Sequence, residues 1–245
     1  MQRVGVIQAR TGSSRLPGKV LTELGGLPVL LWVIRAAQQA DRLDEVVVAT
    51  TTHESDDPVV ELAERMGAQV VRGSEDDVLS RYVQALEEHP ADVVVRLTSD
   101  CPLLDPHLVD AVVGAWEAAP EHDYVSTVIH RTLPRGLDVE LVTAGCLRRV
   151  DATAVGHDRT HVTSAIYTQP DSYRLLGLVI SPASDDLRVT LDTPEDLTAL
   201  RDVVWNLPGR SSRPPQWREV VSLLRARPDL VHINAQVRQK SLQEG

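Results

Sequence analysis

Apolar runs at Val4–Ile7, Glu45–Ala49, Gln69–Val71 and Val93–Leu97 punctuate the first hundred residues. Short runs without strict polar alternation read as parallel strands covered on both faces. Between them, Pro28–Gln39, Asp57–Met66 and Asp76–Glu88 carry helix-like patterns, and Gly67 stands where a helix stops. The order βαβαβαβ predicts an α/β fold built on an open, mostly parallel sheet with helices on both faces, with its ligand site outside the carboxyl ends of the strands. The second half is more mixed: Asp138–Val142 and Tyr173–Ile180 read as strands, around helices near Thr143–Val150 and Arg159–Thr168. It reads as an elaboration of the same sheet, so residues 1–245 form one domain in two halves, 1–105 and 106–245, the second a candidate for carrying a subunit contact.

Three polar clusters fall at strand ends: the segment Gln8-Ala-Arg-Thr-Gly-Ser-Ser-Arg-Leu-Pro-Gly-Lys19, then Thr50-Thr-Thr-His53, then Thr98-Ser-Asp-Cys-Pro102. In the first, Gly12, Ser13 and Ser14 let backbone N–H groups approach a polyanion, and Arg10, Arg15 and Lys19 bring three positive charges within ten residues. This pattern reads as a phosphate cradle, the alternative being an ordinary βα loop whose basic residues are solvated. It is not a Walker A loop, because Lys19 is followed by Val20, and no Gly-x-Gly-x-x-Gly dinucleotide fingerprint occurs.

Composition narrows the partners. The formal charge of -10 opposes nucleic acid and acidic membranes, so an anion site must be a local cationic pocket. No apolar run approaches the ~20 residues of a membrane span, and the chain enters its first strand without a signal-peptide pattern, which predicts a cytoplasmic protein. Cys101 and Cys146 lack metal-ligand spacing, and no third ligand accompanies His157 and His161, so zinc is not expected. Trp205, Trp217 and the apolar stretch Val139–Val142 are candidates for a homodimer contact.

Asp100 follows the run Val93–Leu97, and Asp192 follows Arg188-Val-Thr-Leu191, so each sits just past a strand facing the expected crevice. Two carboxylates together with phosphate oxygens would satisfy Mg²⁺. For Asp192 a second reading stays open, in which it caps the helix beginning at Pro194.

Gln8–Lys19, Gly73–Arg81, Leu97–Asp105, His157–Thr163 and Val189–Asp196 together resemble the cytidylyltransferase family. That family includes the CMP-Kdo and CMP-sialate synthetases, and the opening motif is most like that of the spore coat polysaccharide biosynthesis protein F group. The resemblance runs from the first strand to the region of Asn234. It implies a nucleotide-diphospho-sugar-transferase-like, Rossmann-like fold and transfer of CMP from CTP with loss of pyrophosphate. On it, Lys19, Arg10 and Arg15 are catalytic. Gln8, Ala9, Thr11, Gly12, Ser13, Ser14, Gly73, Asp77, Arg81 and Thr98 lie with them around the nucleotide, and Asp100 and Asp192 bind Mg²⁺.

An acceptor receiving CMP directly is expected to be an acid, such as a sugar acid or a phosphonate, held by cations. Arg96, Arg131, Arg135, His157, Arg159 and His161 are the candidates. Two related activities fit less well. Sugar-1-phosphate nucleotidylyltransferases open with Gly-x-Gly-Thr-Arg, and nucleotide-sugar glycosyltransferases use Asp-x-Asp where this chain has Ser99-Asp100-Cys101. A non-catalytic nucleotide-binding module is disfavoured by the joint presence of Lys19, Asp100 and Asp192.

Overall fold

The computed structural model describes residues 1–239. The elements run β1 Arg3–Gln8, a short hairpin of β2 Glu23–Leu24 and β3 Leu27–Pro28, α1 Val29–Gln38, β4 Glu45–Thr51, α2 Asp57–Arg65, β5 Gln69–Gly73, α3 Val78–Glu88, β6 Val93–Thr98 and α4 Pro106–Ala118. There follow β7 Tyr124–Ser126, β8 Glu140–Thr143, α5 Ala144–Asp151, α6 His157–His161, α7 Ser164–Tyr167, β9 Leu175–Gly177, α8 Pro194–Asn206, α9 Trp217–Ala226 and α10 Pro228–His232.

A seven-stranded sheet in the order β5-β4-β1-β6-β8-β7-β9 forms the centre, mostly parallel, with β8 antiparallel to both of its neighbours. Side chains alternate across it. Val46, Val48, Val93, Val95 and Leu97 enter a core layer with α1, α4, α8 and α9. Val4, Val6, Val47, Ala49 and Val94 enter the opposite layer with α3, α5 and α7. Because both faces are covered, the runs read as continuous apolar stretches. The chain leaves β1 for β4 on one side and later returns as β6 on the other, so the topological switch lies between β1 and β6, whose last residues Gln8 and Thr98 are paired. A crevice opens there.

Local chemistry sets the element ends. Gly67 adopts φ 73°, a conformation open to glycine, and its N–H bonds the carbonyl of Glu64 to close α2. Asp105 caps α4 through the His107 N–H at 2.8 Å, and its other oxygen receives the Trp217 N–H at 2.8 Å, tying the start of α9 to the start of α4. Trp217 and the stretch Val139–Val142 are therefore core, not a subunit contact, while Trp205 is 66% exposed.

The second half departs from the sequence reading in three ways. The strand β7 has too few residues to show a pattern. Arg188–Leu191 is not a strand but a loop bridged to Arg135. The stretch expected as one helix over Arg159–Thr168 is two, broken at Val162, whose φ of 63° is costly for a β-branched residue. The break lets Thr163 Oγ1 donate to the buried Glu140 carboxylate at 2.5 Å. Among the described residues, no helix is long and apolar enough to cross a membrane.

Candidate active site

The loop after β1 is held by a buried carboxylate. Asp56, 1% exposed, accepts from the Thr11 N–H and hydroxyl, both at 2.7 Å, with one oxygen. Its other oxygen takes the hydroxyls of Thr50 at 3.2 Å and Thr51 at 2.5 Å. Burial would raise this carboxyl, but the threonine donors outweigh it and hold its pKa below the ordinary 3.8. Gly18, at φ 70°, bonds back from its N–H to the Thr11 carbonyl at 2.9 Å, so the loop returns on itself and starts a single 3-10 turn with Lys19 as its first residue.

That turn aims Lys19 at the strand-end aspartates. Its ammonium, on a side chain only 12% exposed, lies 2.8 Å from Asp100 Oδ2, 3.0 Å from Asp192 Oδ1 and 2.8 Å from the Leu191 carbonyl. Burial opposes its charge, yet the two carboxylates win and raise its pKa. Asp100 is shifted the other way: desolvation acts against ionisation, and Lys19 more than compensates. Arg15 adds a contact to Asp192 Oδ1 at 3.1 Å. Asp192 is not a helix cap. Thr193 caps α8, in a reciprocal capping box with Asp196.

Two adjoining clefts meet at this triad and share Gln8, Arg96, Thr98, Asp100, His161 and Asp192 in their walls. The first, about 410 Å³, is lined by the loop residues Ala9, Arg10, Gly12, Ser13, Ser14, Arg15 and Lys19, together with Arg81. Arg10 also bonds Glu75 Oε1 at 3.1 Å. Arg81 is 2% exposed, and its Nε has no partner; its Nη1 reaches only the Ala49 carbonyl, at 3.4 Å. Desolvation lowers its pKa, since no carboxylate pairs with it among the described residues.

The second cleft, about 560 Å³, takes in Arg96, Arg131, Arg135, Asp138, Glu140, Thr163 and Tyr167. Arg96 pairs with Glu140, which also accepts from the Tyr124 hydroxyl at 2.5 Å. Arg131 makes a two-pronged contact with Asp138, 3.0 Å on one side. The Arg135 guanidinium makes no hydrogen bond or ion pair among the described residues. Its backbone is fixed by the Leu187 carbonyl and the Val189 N–H at 3.1 and 2.7 Å, and desolvation with the nearby Arg131 lowers its pKa.

Five residues expected at ligands do not line either cleft. Thr11 anchors the loop to Asp56. The Gly73 carbonyl accepts the Thr52 N–H at 3.2 Å, and a Cβ on Gly73 would come within 2.9 Å of the Arg81 side chain, so this glycine lets Arg81 pack. Asp77 caps α3 through the Ser80 N–H at 2.9 Å and receives Arg159 at 2.7 Å. Arg159 also bonds Asp151 at 2.8 Å, fastening α6 to its neighbours. His157 lies beside Asp158 at 3.3 Å on the surface. Conversely, Asp56, Asp138, Glu140, Arg188 and Asp196 shape the site without having been singled out. Glu140 was signalled by a lone carboxylate inside an apolar strand, and Asp196 by the Thr193-Pro-Glu-Asp196 capping pattern.

A parallel sheet whose first strand empties into a lysine-bearing small-residue loop, facing two aspartates across the switch point, defines a nucleotidyltransferase-like α/β protein. The cytidylyltransferase family profile matches residues 4–203, and the chain belongs to that family. It is a CTP-dependent nucleotidyltransferase. Over 249 residues it is 34% identical to an uncharacterized protein of Methanocaldococcus jannaschii, covering 100% of this chain and 99% of that one. It is 34% identical over 234 residues to the spore coat polysaccharide biosynthesis protein SpsF of Bacillus subtilis, covering 91% and 94%. A solved cytidylyltransferase from Leptospira borgpetersenii superposes with a TM-score of 0.90 at 26% identity, over 98% of this chain and 99% of the other.

Proposed function

We propose that this protein transfers CMP from CTP to an acidic small molecule, a sugar acid or a phosphonate, in a Mg²⁺-dependent reaction that releases pyrophosphate. One observation carries the reading: Lys19 draws Asp100 and Asp192 onto a single point at the foot of the phosphate loop. Two hard oxygen donors converging on one cation suit Mg²⁺, and Asp100 and Asp192 would hold it. When bound, the metal neutralises triphosphate charge and polarises the phosphoryl group.

The chain's own residues do the rest. Backbone amides of Gly12, Ser13 and Ser14, with Arg10, Arg15 and Lys19, grip the triphosphate. An acceptor oxygen, either a hydroxyl that gives up its proton to solvent or an already ionised phosphonate oxygen, forms a bond to the α-phosphorus, and the bond from that phosphorus to the bridging oxygen breaks, its electron pair leaving with pyrophosphate. Lys19 and Arg15 neutralise the charge that develops on the leaving group. Arg135 holds the acceptor's anion in the adjoining cleft, while the paired Arg96 and Arg131 shape its wall. Placement of the two substrates supplies the orientation that such a reaction requires.

The test is pyrophosphate release with each of the four nucleoside triphosphates against a panel of sugar acids, phosphonates and sugar phosphates, with and without Mg²⁺. The expected result is release with CTP and an acid, dependent on the metal. Release only with sugar 1-phosphates, or equal use of UTP, would contradict it.

A further inference from the structure

We propose that Arg188 and Asp196 are positioning residues that present one oxygen of Asp192 to the bound cation. The proposal rests on the reading of Asp192 as a Mg²⁺ ligand. Asp192 belongs to a loop, where an unsupported carboxylate would rotate. Its two oxygens are nevertheless used differently. Oδ2 accepts from Arg188 Nη2 at 2.9 Å, on the side away from Lys19, whereas Oδ1 faces Lys19 and Arg15 in the nucleotide cleft. When those two cations turn to the triphosphate, Oδ1 is the oxygen left to a metal.

Arg188 is fixed in its turn. Its Nε and Nη2 bond both oxygens of Asp196 at 2.8 Å, a fork that sets the guanidinium plane. Asp196 is 0% exposed. It also accepts the backbone N–H groups of Asp192 at 3.0 Å and Thr193 at 3.1 Å, and the Asn234 amide at 2.9 Å. One buried carboxylate therefore fixes the main chain of Asp192 directly and its side chain through Arg188. Partners of this kind behind a metal ligand set its orientation, and their loss typically weakens metal affinity or activity 10–100-fold. A helix cap alone would need only Thr193 and Asp196; the contact from Arg188 to Asp192 lies beyond that need.

The experiment is calorimetric binding of α,β-methylene CTP, with and without Mg²⁺, to wild type, Arg188→Met, Arg188→Lys, Asp192→Asn and the double variant Arg188→Met/Asp192→Asn. Its readout is the gain in nucleotide affinity that Mg²⁺ confers. Arg188→Met is expected to reduce that gain about tenfold or more while metal-free affinity holds, and the double variant should lose no more than Asp192→Asn alone, because Arg188 acts through Asp192. Arg188→Lys keeps a charge against Asp196 but lacks the fork. It is expected to fold and still lose part of the gain, which keeps the test decisive should Arg188→Met not fold. A folded Arg188→Lys or Arg188→Met with the wild-type gain, or losses that multiply in the double variant, overturns the proposal. A wild type with no Mg²⁺-dependent gain removes the metal reading itself, and the proposal with it.

Discussion

The two ends of the cleft hold their cations differently. At the loop end, Arg81 is buried without a carboxylate partner among the described residues, while Arg10 pairs with Glu75, and Lys19 and Arg15 meet at Asp192, an aspartate that a metal would claim. At the far end, Arg96 and Arg131 are already neutralised by Glu140 and Asp138, and Arg135 alone of the three has no ion pair among the described residues. A buried unpaired charge is destabilising until a ligand meets it, whereas a paired one is structural scaffolding. On the proposed function, Arg81 at the loop end meets the polyphosphate and Arg135 at the far end meets the acceptor's anion.

Substitutions break this contrast in graded steps. Lys19→Ala should have the largest effect, a fall in kcat on the order of 10²–10³, the penalty for losing one oriented electrostatic donor, read as single-turnover pyrophosphate release. Arg81→Met should weaken CTP binding about tenfold to a hundredfold, as expected for a hydrogen bond to a charged group, with Tm unchanged or higher because a desolvated charge is removed. Calorimetry and thermal unfolding measure the two sides together; a lower Tm with normal CTP affinity would make Arg81 a packing residue. Arg135→Ala should raise the acceptor's KM about tenfold and leave that of CTP alone. Arg131→Ala, which strands Asp138, should instead lower Tm.

The smallest effect concerns the loop anchor. The folded pKa of Asp56 lies below the ordinary 3.8, so its contribution to stability is complete above about pH 4 and is lost as pH falls through the folded value. Thr11→Val should lower Tm at pH 7 by an amount that shrinks near pH 3. A pH-independent difference would remove Asp56 from the account of the loop.

The same division explains what was legible in the sequence. The loop end is one contiguous segment between a strand and a 3-10 turn, so spacing alone displayed its glycine, serines and cations. The parallel core was equally plain, because its strands are buried on both faces. The far end is gathered from β6, the loop carrying Arg131 and Arg135, the α6–α7 break and the approach to Asp192, segments that no local pattern joins. Arg159 looked like a ligand cation because its partners Asp77 and Asp151 lie in other elements. Asp192 was ambiguous between cap and ligand in the sequence, and the structure gives the cap to Thr193.

The central claim is that the point shared by Lys19, Asp100 and Asp192 is a cation site that opens when nucleotide arrives. A crystal structure with Mg²⁺ and α,β-methylene CTP tests it most directly. The account predicts the Lys19 ammonium on the triphosphate and Mg²⁺ between Asp100 and Asp192. Lys19 still bridging both aspartates, with the metal and triphosphate held elsewhere, would contradict it.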